Sequence, residues 1–431
     1  MPIRVAVIGG GAAGLCAARY LTKKPDMFQV VVYEQSDQIG GTWVYTEDVG
    51  TDKYGQPVHS SMYYRLRTNL PKEVMMFPDL PLKEGGRTSF IKHNDVLRYL
   101  KRYAATYDLH KYIQLQTRVE LVKPITSNDR TTWEVTVKNA EDPDAVPQVH
   151  VFDAVMVCNG KYAVPSYPDI PGLETFTGKV IHSHEYRHPE DFQGQTVVLL
   201  GAGASGCDIC VDLHPFVDKI YLSHHKQEIT SMLPSNLQQV PDIASIDNGS
   251  IVFTDGQRAE ADALILCTGY LYNFPFLAAE CGVVVDRMRI SPLYKHVLHT
   301  GFPSLSFMGM VWSINPFQLF SCQVRFAMAA LDGTMTLPST IDMDTDTQQD
   351  YEYRRHELKY PHHYAHKLDS MQWDYKKELL QLAKVEEDDE AINPIFEEMY
   401  NETHHLRTKD LVNYKTRSFE MSDDLKSWEL L

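Results

Sequence analysis

Two stretches of the chain share one pattern of apolar and polar positions. In each stretch a short apolar run, typical of a buried parallel strand, ends at a cluster of glycines and continues into an apolar helical segment. The strand-like runs cover residues 4–8 and 196–200, and the helical segments cover residues 15–21 and 207–213. This repeated strand, turn and helix predicts two Rossmann-like dinucleotide-binding units.

The glycines of the first turn have the spacing of a pyrophosphate-binding loop. Gly9 permits the tight turn, Gly11 lets the backbone approach a phosphate, and Gly14 lets the helix pack closely on the strand. A second apolar strand at residues 30–33 ends at Glu34, 20 positions after Gly14, where a carboxylate can accept hydrogen bonds from ribose hydroxyls. The pattern therefore predicts a dinucleotide whose pyrophosphate lies at the helix N-terminus.

The second turn differs from the first in the residues at the end of its next strand. Residues 219–222 form that strand, and it ends at Ser223, His224, His225 and Lys226. No acid stands where a ribose 2′-hydroxyl would be recognised, and a hydroxyl, two imidazoles and an ammonium group suit a 2′-phosphate. This favours NADP over NAD, although an ordinary solvated basic turn would have the same composition.

The segments around these turns predict the rest of the first unit. The pair Gly40 and Gly41 would let the backbone pass under a flat ring, with Trp43 shielding it. A proline-punctuated loop then carries Thr68 and Asn69, which are either turn formers or hydrogen-bond groups that face the ring. A helix at residues 93–107, strands at 113–122 and 133–137, and a helix at 319–331 complete the predicted elements.

The order of the elements predicts that the second unit is inserted into the first. Buried strands at residues 154–158 and 263–267 run into Gly160 and Gly269, as if the chain left the first unit and returned to it there. The segment 176–186 is predicted to belong to the linker region between the units. The predicted domains are residues 1–172 with 266–335 for the first dinucleotide, 173–265 for NADP, and 336–431 as a helical C-terminal extension with an acidic surface.

The composition limits which binding partners and which cellular compartment are expected for the protein. The net charge of −16 disfavours nucleic acid and anionic membrane surfaces. Seven scattered cysteines, no leader before the first strand and no long apolar segment predict a soluble, cytoplasmic protein, and the extension suggests a homo-oligomer contact. His182, His184 and the adjacent pairs at 362–363 and 404–405 have no cysteine or acid partner at zinc spacing, so no metal is expected. Cys207 and Cys210 have redox spacing, yet their helical face predicts packing against the sheet.

Further motifs make the chain resemble the flavin-containing monooxygenases. The identifying motif of that family is similar to Phe176-x-Gly178-x-x-x-His182-x-x-x-Tyr186, directly ahead of the second glycine turn. Other segments match the family in order: Gly40-Gly41-x-Trp43, Thr68-Asn69-x-x-Lys72-Glu73, Cys267-Thr268-Gly269-Tyr270 and Gln323-x-Arg325. The resemblance covers residues 1 to about 335 and leaves the tail outside it.

The resemblance implies an activity, two cofactors and a set of site residues. It implies FAD- and NADPH-dependent insertion of one oxygen of O2 into a soft nucleophile, through a peroxyflavin, to give a tertiary-amine N-oxide or an S-oxide. Asn69 is implied to be the active-site residue beside the flavin and the nicotinamide. The residues implied along FAD are Gly9, Gly11, Gly14, Glu34, Gly41, Trp43, Thr68, Asn69 and Gln323. Those implied to hold NADPH are Gly203, Ala204, Ser205, Gly206, Ser223, His224, Lys226 and Thr268.

Within the family, the compact length and the run from residue 292 to 297 most resemble soluble insect members, some of which N-oxygenate pyrrolizidine alkaloids. Three alternatives stay open. A Baeyer–Villiger monooxygenase shares the cofactors, but its motif normally ends in Trp-Pro, where this chain has Tyr186-Arg187. A thioredoxin-reductase-like disulfide reductase would need Cys207 and Cys210. A flavoprotein that only binds both nucleotides as a scaffold would need neither activity.

Overall fold

The computed structural model describes residues 1–127, 130–225, 227–385, 390–422 and 424–431. The first part of the chain forms β1 (Ile3–Ile8), α1 (Ala12–Thr22), β2 (Phe28–Tyr33), α2 (His93–Thr106), β3 (Ile113–Gln114), β4 (Thr117–Ser127), β5 (Arg130–Asn139), β6 (Gln148–Phe152), β7 (Ala154–Val157) and β8 (Val164–Pro165). It is followed by β9 (Lys179–His182), β10 (Thr196–Leu200), α3 (Ala204–Leu213), β11 (Lys219–Ser223), β12 (Leu237–Val240), β13 (Ile243–Asp247), β14 (Ser250–Phe253), β15 (Arg258–Ala259) and β16 (Ala263–Leu266).

The remaining elements lead from the second unit back to the first and into the tail. They are β17 (Tyr270–Leu271), β18 (Val284–Asp286), β19 (Arg289–Ser291), β20 (Leu293–Tyr294), β21 (Leu298–His299), β22 (Leu305–Phe307) and α4 (Pro316–Leu331). The tail contains α5 (Thr340–His356), α6 (Gln372–Leu382), α7 (Pro394–Lys409), β23 (Phe419–Met421) and β24 (Trp428–Leu430).

The larger unit is built on a seven-stranded sheet in the order β20–β21–β22–β7–β1–β2–β3. Its five strands from β22 to β3 are parallel. Alternate residues of β1 enter opposite cores because side chains alternate across a strand. Val5 and Val7 pack with the helices, whereas Ala6 and Ile8 pack with the antiparallel strands β4–β6. The sheet is therefore covered on both faces, as its continuous apolar run predicts.

The smaller unit has a parallel sheet in the order β12–β11–β10–β16–β9. The chain enters this unit after β8 and leaves it before β17, and these two strands pair antiparallel with each other. The predicted fold class, an α/β protein in which a smaller Rossmann-like unit is inserted into a larger one, is confirmed. The residue boundaries of the predicted domains stay predictions.

One segment was assigned wrongly from the sequence. The stretch 176–186 was predicted to lie in the linker region, but its centre forms β9, the edge strand of the smaller sheet, paired with β16. The run Lys179–His182 has only two apolar residues, so its apolar content is too low to mark a strand. Three helices also begin earlier than predicted, α1 at Ala12, α3 at Ala204 and α4 at Pro316.

The tail is helical, as predicted, but it does not form a separate surface layer. Its apolar residues Leu379, Phe396, Tyr414 and Phe419 belong to the same core cluster as Val5 of β1. Among the described helices, none combines the length and the apolar character that a membrane crossing requires.

Candidate active site between two glycine turns

The first glycine turn has a geometry that only glycine can provide at two of its positions. Gly9 has a φ of +108°, and a Cβ on Gly14 would lie 1.8 Å from the Gly9 carbonyl oxygen. A Cβ on Gly11 would lie 3.4 Å from the Cα of Gly41, so two glycine backbones face each other. Among the described residues no side chain caps α1 and its first turn carries no acid, so the N–H groups at its start are suited to binding an anion.

The second turn repeats this geometry. Gly201 has a φ of +110°, and a Cβ on Gly206 would lie 1.9 Å from the Gly201 carbonyl oxygen. A Cβ on Gly203 would meet no atom within 4 Å, so the space in front of the turn is open. Ala204 is exposed, Ser205 is half-buried and no side chain caps α3. Both turns thus fit a pyrophosphate by their donors and by the space they leave.

Glu34 links the first turn to the end of β2. Its Oε2 atom accepts a hydrogen bond from the Gly10 N–H at 2.6 Å, and its Oε1 atom accepts from the Ser36 N–H at 2.9 Å and the Ser36 hydroxyl at 2.7 Å. The carboxylate is buried. It therefore holds the turn in shape, and its predicted contact with a ribose stays a prediction.

A short turn beside the first glycine turn offers a further polar atom for a cofactor. Gly41–Trp43 form one turn of 3₁₀-helix after Gly40, which has a φ of +129°. Trp43 packs against the main core. The hydroxyl of Thr42 is buried without a hydrogen-bond partner among the described residues. A buried hydroxyl normally has a hydrogen-bond partner, so a bound cofactor could provide the partner for the Thr42 hydroxyl.

The predicted 2′-phosphate site after β11 needs correction. The Ser223 hydroxyl is fully buried and donates to the Pro241 carbonyl at 2.8 Å, and His224 is buried with its Nε2 atom 3.1 Å from Gln239 Oε1. The Ser223 side chain points into the protein, so its direct contact with a phosphate is not supported. The Nδ1 atom of His224 is buried without a hydrogen-bond partner among the described residues, so the predicted contact of His224 stays a prediction. His225 is 78% exposed. Lys226 lies outside the described residues.

Residues 60–69, the bridging segment, connect the two turns. The Ser60 hydroxyl donates to the Thr42 carbonyl at 2.8 Å, next to the first turn. The Tyr63 hydroxyl donates to the carboxylate of Asp208, which lies one turn into α3. The loop that carries the predicted active-site residue is therefore held against both nucleotide-binding turns.

Asn69 lies at the end of the bridging segment. The preceding residue, Thr68, is buried and pairs with Ile91, because its N–H donates to the Ile91 carbonyl at 2.8 Å and its hydroxyl accepts from the Ile91 N–H at 3.1 Å. The Thr68 side chain thus supports the loop. Asn69 is exposed, and its Oδ1 atom is 3.4 Å from the hydroxyl of Tyr414 in the tail. Its amide is exposed and therefore available to a ligand.

Two other residues that were predicted to contact the cofactors form side-chain hydrogen bonds within the protein. The Oε1 atom of Gln323, which is fully buried, accepts from the Gly309 N–H at 2.9 Å, and its Nε2 atom donates to the Tyr375 hydroxyl at 3.2 Å. The Thr268 hydroxyl donates to the Ser166 carbonyl at 2.5 Å, which ties together the two crossing segments. Their side chains hold turns around the site, and their predicted contacts with FAD and NADP stay predictions.

The motif on which the family resemblance depends is mainly a packing motif. A Cβ on Gly178 would lie 2.4 Å from the Asp262 carbonyl oxygen, so β9 can approach the start of β16 only with glycine there. His182 is fully buried at the end of β9 and contacts the Tyr270 ring at 5.3 Å between centroids. The Tyr186 hydroxyl donates at 2.7 Å to Asp212 of α3. These contacts hold the second glycine turn in place.

The redox pair is not accessible. All seven cysteines are buried thiols. Cys207 packs in the core of the larger unit, whereas Cys210 packs in the core of the smaller one. Burial raises the pKa of the Cys210 thiol well above its usual value, which disfavours the reactive thiolate. Within the described ranges, no group of three or more histidine, cysteine or acidic residues could hold a metal ion.

Sequence reasoning missed two residues at this site, Asp208 and Tyr414. Asp208 stands in the helix after the second glycine turn, where a polar residue on a half-buried face is the only signal. Tyr414 is 345 positions from Asn69, and no local pattern could have connected them.

Comparison with known proteins agrees with this geometry. The flavin-binding monooxygenase-like family matches residues 3–229 and 227–393, so the resemblance extends beyond the predicted limit near residue 335. The flavin-containing monooxygenase FMO GS-OX-like 2 of Arabidopsis thaliana is 38% identical over 392 residues, which cover 86% of this chain and 83% of the relative. The predicted likeness to insect members stays a prediction, since this relative is a plant protein.

Two solved structures are similar over nearly the whole chain, including the tail. The S-allyl-L-cysteine S-oxygenase from Allium sativum is 35% identical, with a TM-score of 0.88 over 98% of this chain and 96% of that one. Tmm from Pelagibacter sp. strain HTCC7211 is 26% identical, with a TM-score of 0.86 over 99% and 95%. With its two nucleotide turns and FAD and NADPH as its cofactors, the chain belongs to the flavin-binding monooxygenase-like family.

Proposed function

We propose that this flavin-containing monooxygenase transfers one oxygen atom of O2 to the sulfur of a small sulfide, with tertiary-amine nitrogen as its second class of acceptor. One observation carries the proposal. The bridging segment, which ends at the exposed Asn69, contacts residues beside both pyrophosphate-type turns, and the cysteines that a disulfide reductase would use are buried. This arrangement suits a reaction in which two nucleotides meet and the protein contributes no nucleophile.

The chain's own groups would bind and orient the cofactors. The turn from Gly9 to Gly14 would hold the pyrophosphate of FAD, and the turn from Gly201 to Gly206 that of NADPH. FAD, when bound, supplies the reaction with O2 and the transfer of oxygen. The amide of Asn69 would donate to or accept from the groups that meet there, and the buried loop contacts of Thr68 hold it in place.

Sulfides rank ahead of tertiary amines as oxygen acceptors because of the relative similarity of this chain to two solved structures. The enzyme with the higher identity, 35%, is an S-allyl-L-cysteine S-oxygenase. Sulfur is also the softer of the two nucleophiles. Tertiary amines come second, because the neighbour that supports them, the trimethylamine monooxygenase Tmm, has the lower identity of 26%. Pyrrolizidine alkaloids are supported by the motif resemblance alone.

The proposal is tested by a substrate panel with the FAD-loaded protein. NADPH consumption and oxygenated products are measured together for S-alkyl cysteines, simple sulfides, tertiary amines, a pyrrolizidine alkaloid and cyclic ketones. We expect sulfoxide in amounts that match most of the NADPH consumed, and less N-oxide. Ester from the ketones without sulfoxide would instead indicate Baeyer–Villiger chemistry, and hydrogen peroxide as the only product would contradict oxygen transfer.

A further inference from the structure

The tail returns to the candidate site at Tyr414 and Lys415. Tyr414 is only 3% exposed, and its ring packs edge-on against Phe90 with 5.3 Å between centroids. Its hydroxyl lies 3.4 Å from Asn69 Oδ1. The ammonium group of Lys415 donates to the Arg67 carbonyl at 3.0 Å. Two consecutive residues of the tail therefore contact the loop that carries Asn69.

Lys415 also contacts the second nucleotide unit. Its ammonium group forms an ion pair with Oδ1 of Asp208 on α3, and the Tyr63 hydroxyl donates to Oδ2 of the same carboxylate. The side chains of Lys415 and Asp208 are 12% and 16% exposed. Asp208 thus joins the bridging segment, the tail and the helix that begins at the second glycine turn.

The tail on either side of this contact is tied to a different unit. On one side, the Ser231 hydroxyl of the smaller unit accepts from the Leu411 N–H at 2.7 Å. On the other side, the Ser89 hydroxyl of the larger unit accepts from the Phe419 N–H at 2.7 Å. We name residues 411–419 the strap, because they cross from one unit to the other over the candidate site.

We infer that the strap is a positioning device: through Tyr414 and Lys415 it holds α3 and the Asn69 loop in one relative arrangement. Both charges of the Lys415–Asp208 pair are largely removed from water, so separating them by a movement of α3 would leave each one poorly solvated. The arrangement in which they touch is therefore favoured over rotated ones. This inference rests on the proposed function for its catalytic consequence, although not for the contacts themselves.

The catalytic consequence concerns coupling. Reduction by NADPH and oxygen transfer both require the second nucleotide to stay at a defined position relative to Asn69. A looser α3 would let NADPH be consumed without transfer of oxygen to the substrate. We therefore expect the strap to raise the fraction of NADPH that ends in product, with a smaller effect on the binding of FAD by the first turn.

The test compares Lys415→Met and Tyr414→Phe with Lys415→Arg and with Lys409→Met, a matched control at an exposed lysine of the same tail. Hydrogen–deuterium exchange of the purified protein, with and without its cofactors, reports on the bridging segment and the first turn of α3. For Lys415→Met we expect exchange about tenfold faster in both regions, partial rescue by arginine and no change in the control. Tyr414→Phe should affect the Asn69 loop alone.

Product and hydrogen peroxide per NADPH are measured for the same proteins. At unchanged FAD content we expect a product fraction about fivefold lower in Tyr414→Phe, the effect of losing one hydrogen bond. The fall in Lys415→Met should be at least as large, because that variant loses both the hydrogen bond to Arg67 and the ion pair with Asp208. Unchanged exchange in both variants would overturn the inference, as would faster exchange with an unchanged product fraction. If the parent protein gives no oxygenated product, the proposed function fails, while the exchange experiment still decides whether the strap holds the units together.

Discussion

At the scale of the residue, Asn69 is distinguished by how little its side chain contributes to the fold. Thr68, Gln323 and Thr268 each use their polar groups to hold backbone around the site, whereas Asn69 is exposed and has one long contact, to Tyr414. Truncating Asn69 should therefore remove an interaction with a ligand and leave the fold intact.

The prediction for Asn69→Ala is a protein with normal FAD content and thermal stability whose product per NADPH falls about 100-fold, the loss typical of one donor at a reacting centre. Asn401→Ala, at an exposed position of α7, is the matched control. Product yield is measured by mass spectrometry with the best sulfide of the panel. A yield equal to that of the control would exclude Asn69 from the reaction.

Glu73 is a second residue whose behaviour depends on its surroundings. Burial raises the pKa of its carboxyl to about 7, and its Oε1 atom accepts from the Ser89 hydroxyl at 3.2 Å. The folded protein therefore holds a proton on Glu73 between about pH 4.5 and 7, where the unfolded chain does not. Stability is lost as pH rises through this range and the loss is complete above pH 7.

Glu73→Gln removes that charge and keeps the shape of the side chain. At pH 8 we expect the variant to melt at a higher temperature than the parent, because its free energy of unfolding is larger by an amount on the order of 3 kcal/mol. This difference should shrink towards pH 5. Glu228→Gln, at an exposed position, should show no such trend. Calorimetric melting curves at both pH values check this, and a pH-independent difference would refute the buried-charge explanation.

At the scale of the element, local pattern predicted those parts of the fold that local physics determines. The strands β1, β2, β7, β10, β11 and β16 are short runs of buried apolar residues, and both glycine turns come directly after such runs. By contrast, β9 has two apolar residues between Lys179 and His182, and its pairing with β16 decides its structure. Likewise, the burial of Ser223 depends on Pro241 beyond the next strand, which no local pattern reveals.

The burial of two cysteines on the helix α3 distinguishes an oxygenase from a disulfide reductase. Cys207 and Cys210 lie on its buried face and pack into two different cores. We expect Cys207→Ala with Cys210→Ala to keep NADPH turnover within about twofold of the parent value, because alanine leaves only a small cavity at each site. NADPH oxidation with a sulfide and with a disulfide substrate is the measurement. Loss of turnover at full FAD content would restore the reductase alternative.

At the scale of the whole molecule, the tail could be predicted as helical but not as part of the site. Its contacts with Asn69 and Asp208 join residues 345 and 207 positions apart in the chain. Such contacts arise because Leu411, Tyr414 and Phe419 enter the core of the larger unit. Cutting the chain before the strap should therefore expose apolar surface as well as release α3.

The pH dependence of stability is also a property of the whole molecule, because groups in both units and the tail contribute. Burial lowers the pKa of His182 and His184 to about 4, and lowers those of His296 and His366 well below their usual value. The last two form a neutral pair, in which the Ile290 N–H donates to His366 Nε2 at 2.9 Å and the two Nδ1 atoms are 2.9 Å apart.

These histidines should make the protein less stable in mild acid. Near pH 5.5 the unfolded chain binds protons at His182 and His184, which stay neutral in the folded protein. The folded protein holds about as many protons on Glu73 and on Asp212, whose pKa burial raises to about 6. The lowered pKa values of His296 and His366 then shift the balance towards proton uptake on unfolding, so stability falls as pH falls. Calorimetry at pH 5.5 in buffers of different ionisation enthalpy should detect proton uptake on unfolding. Proton release would show that the buried acids, and not the histidines, dominate.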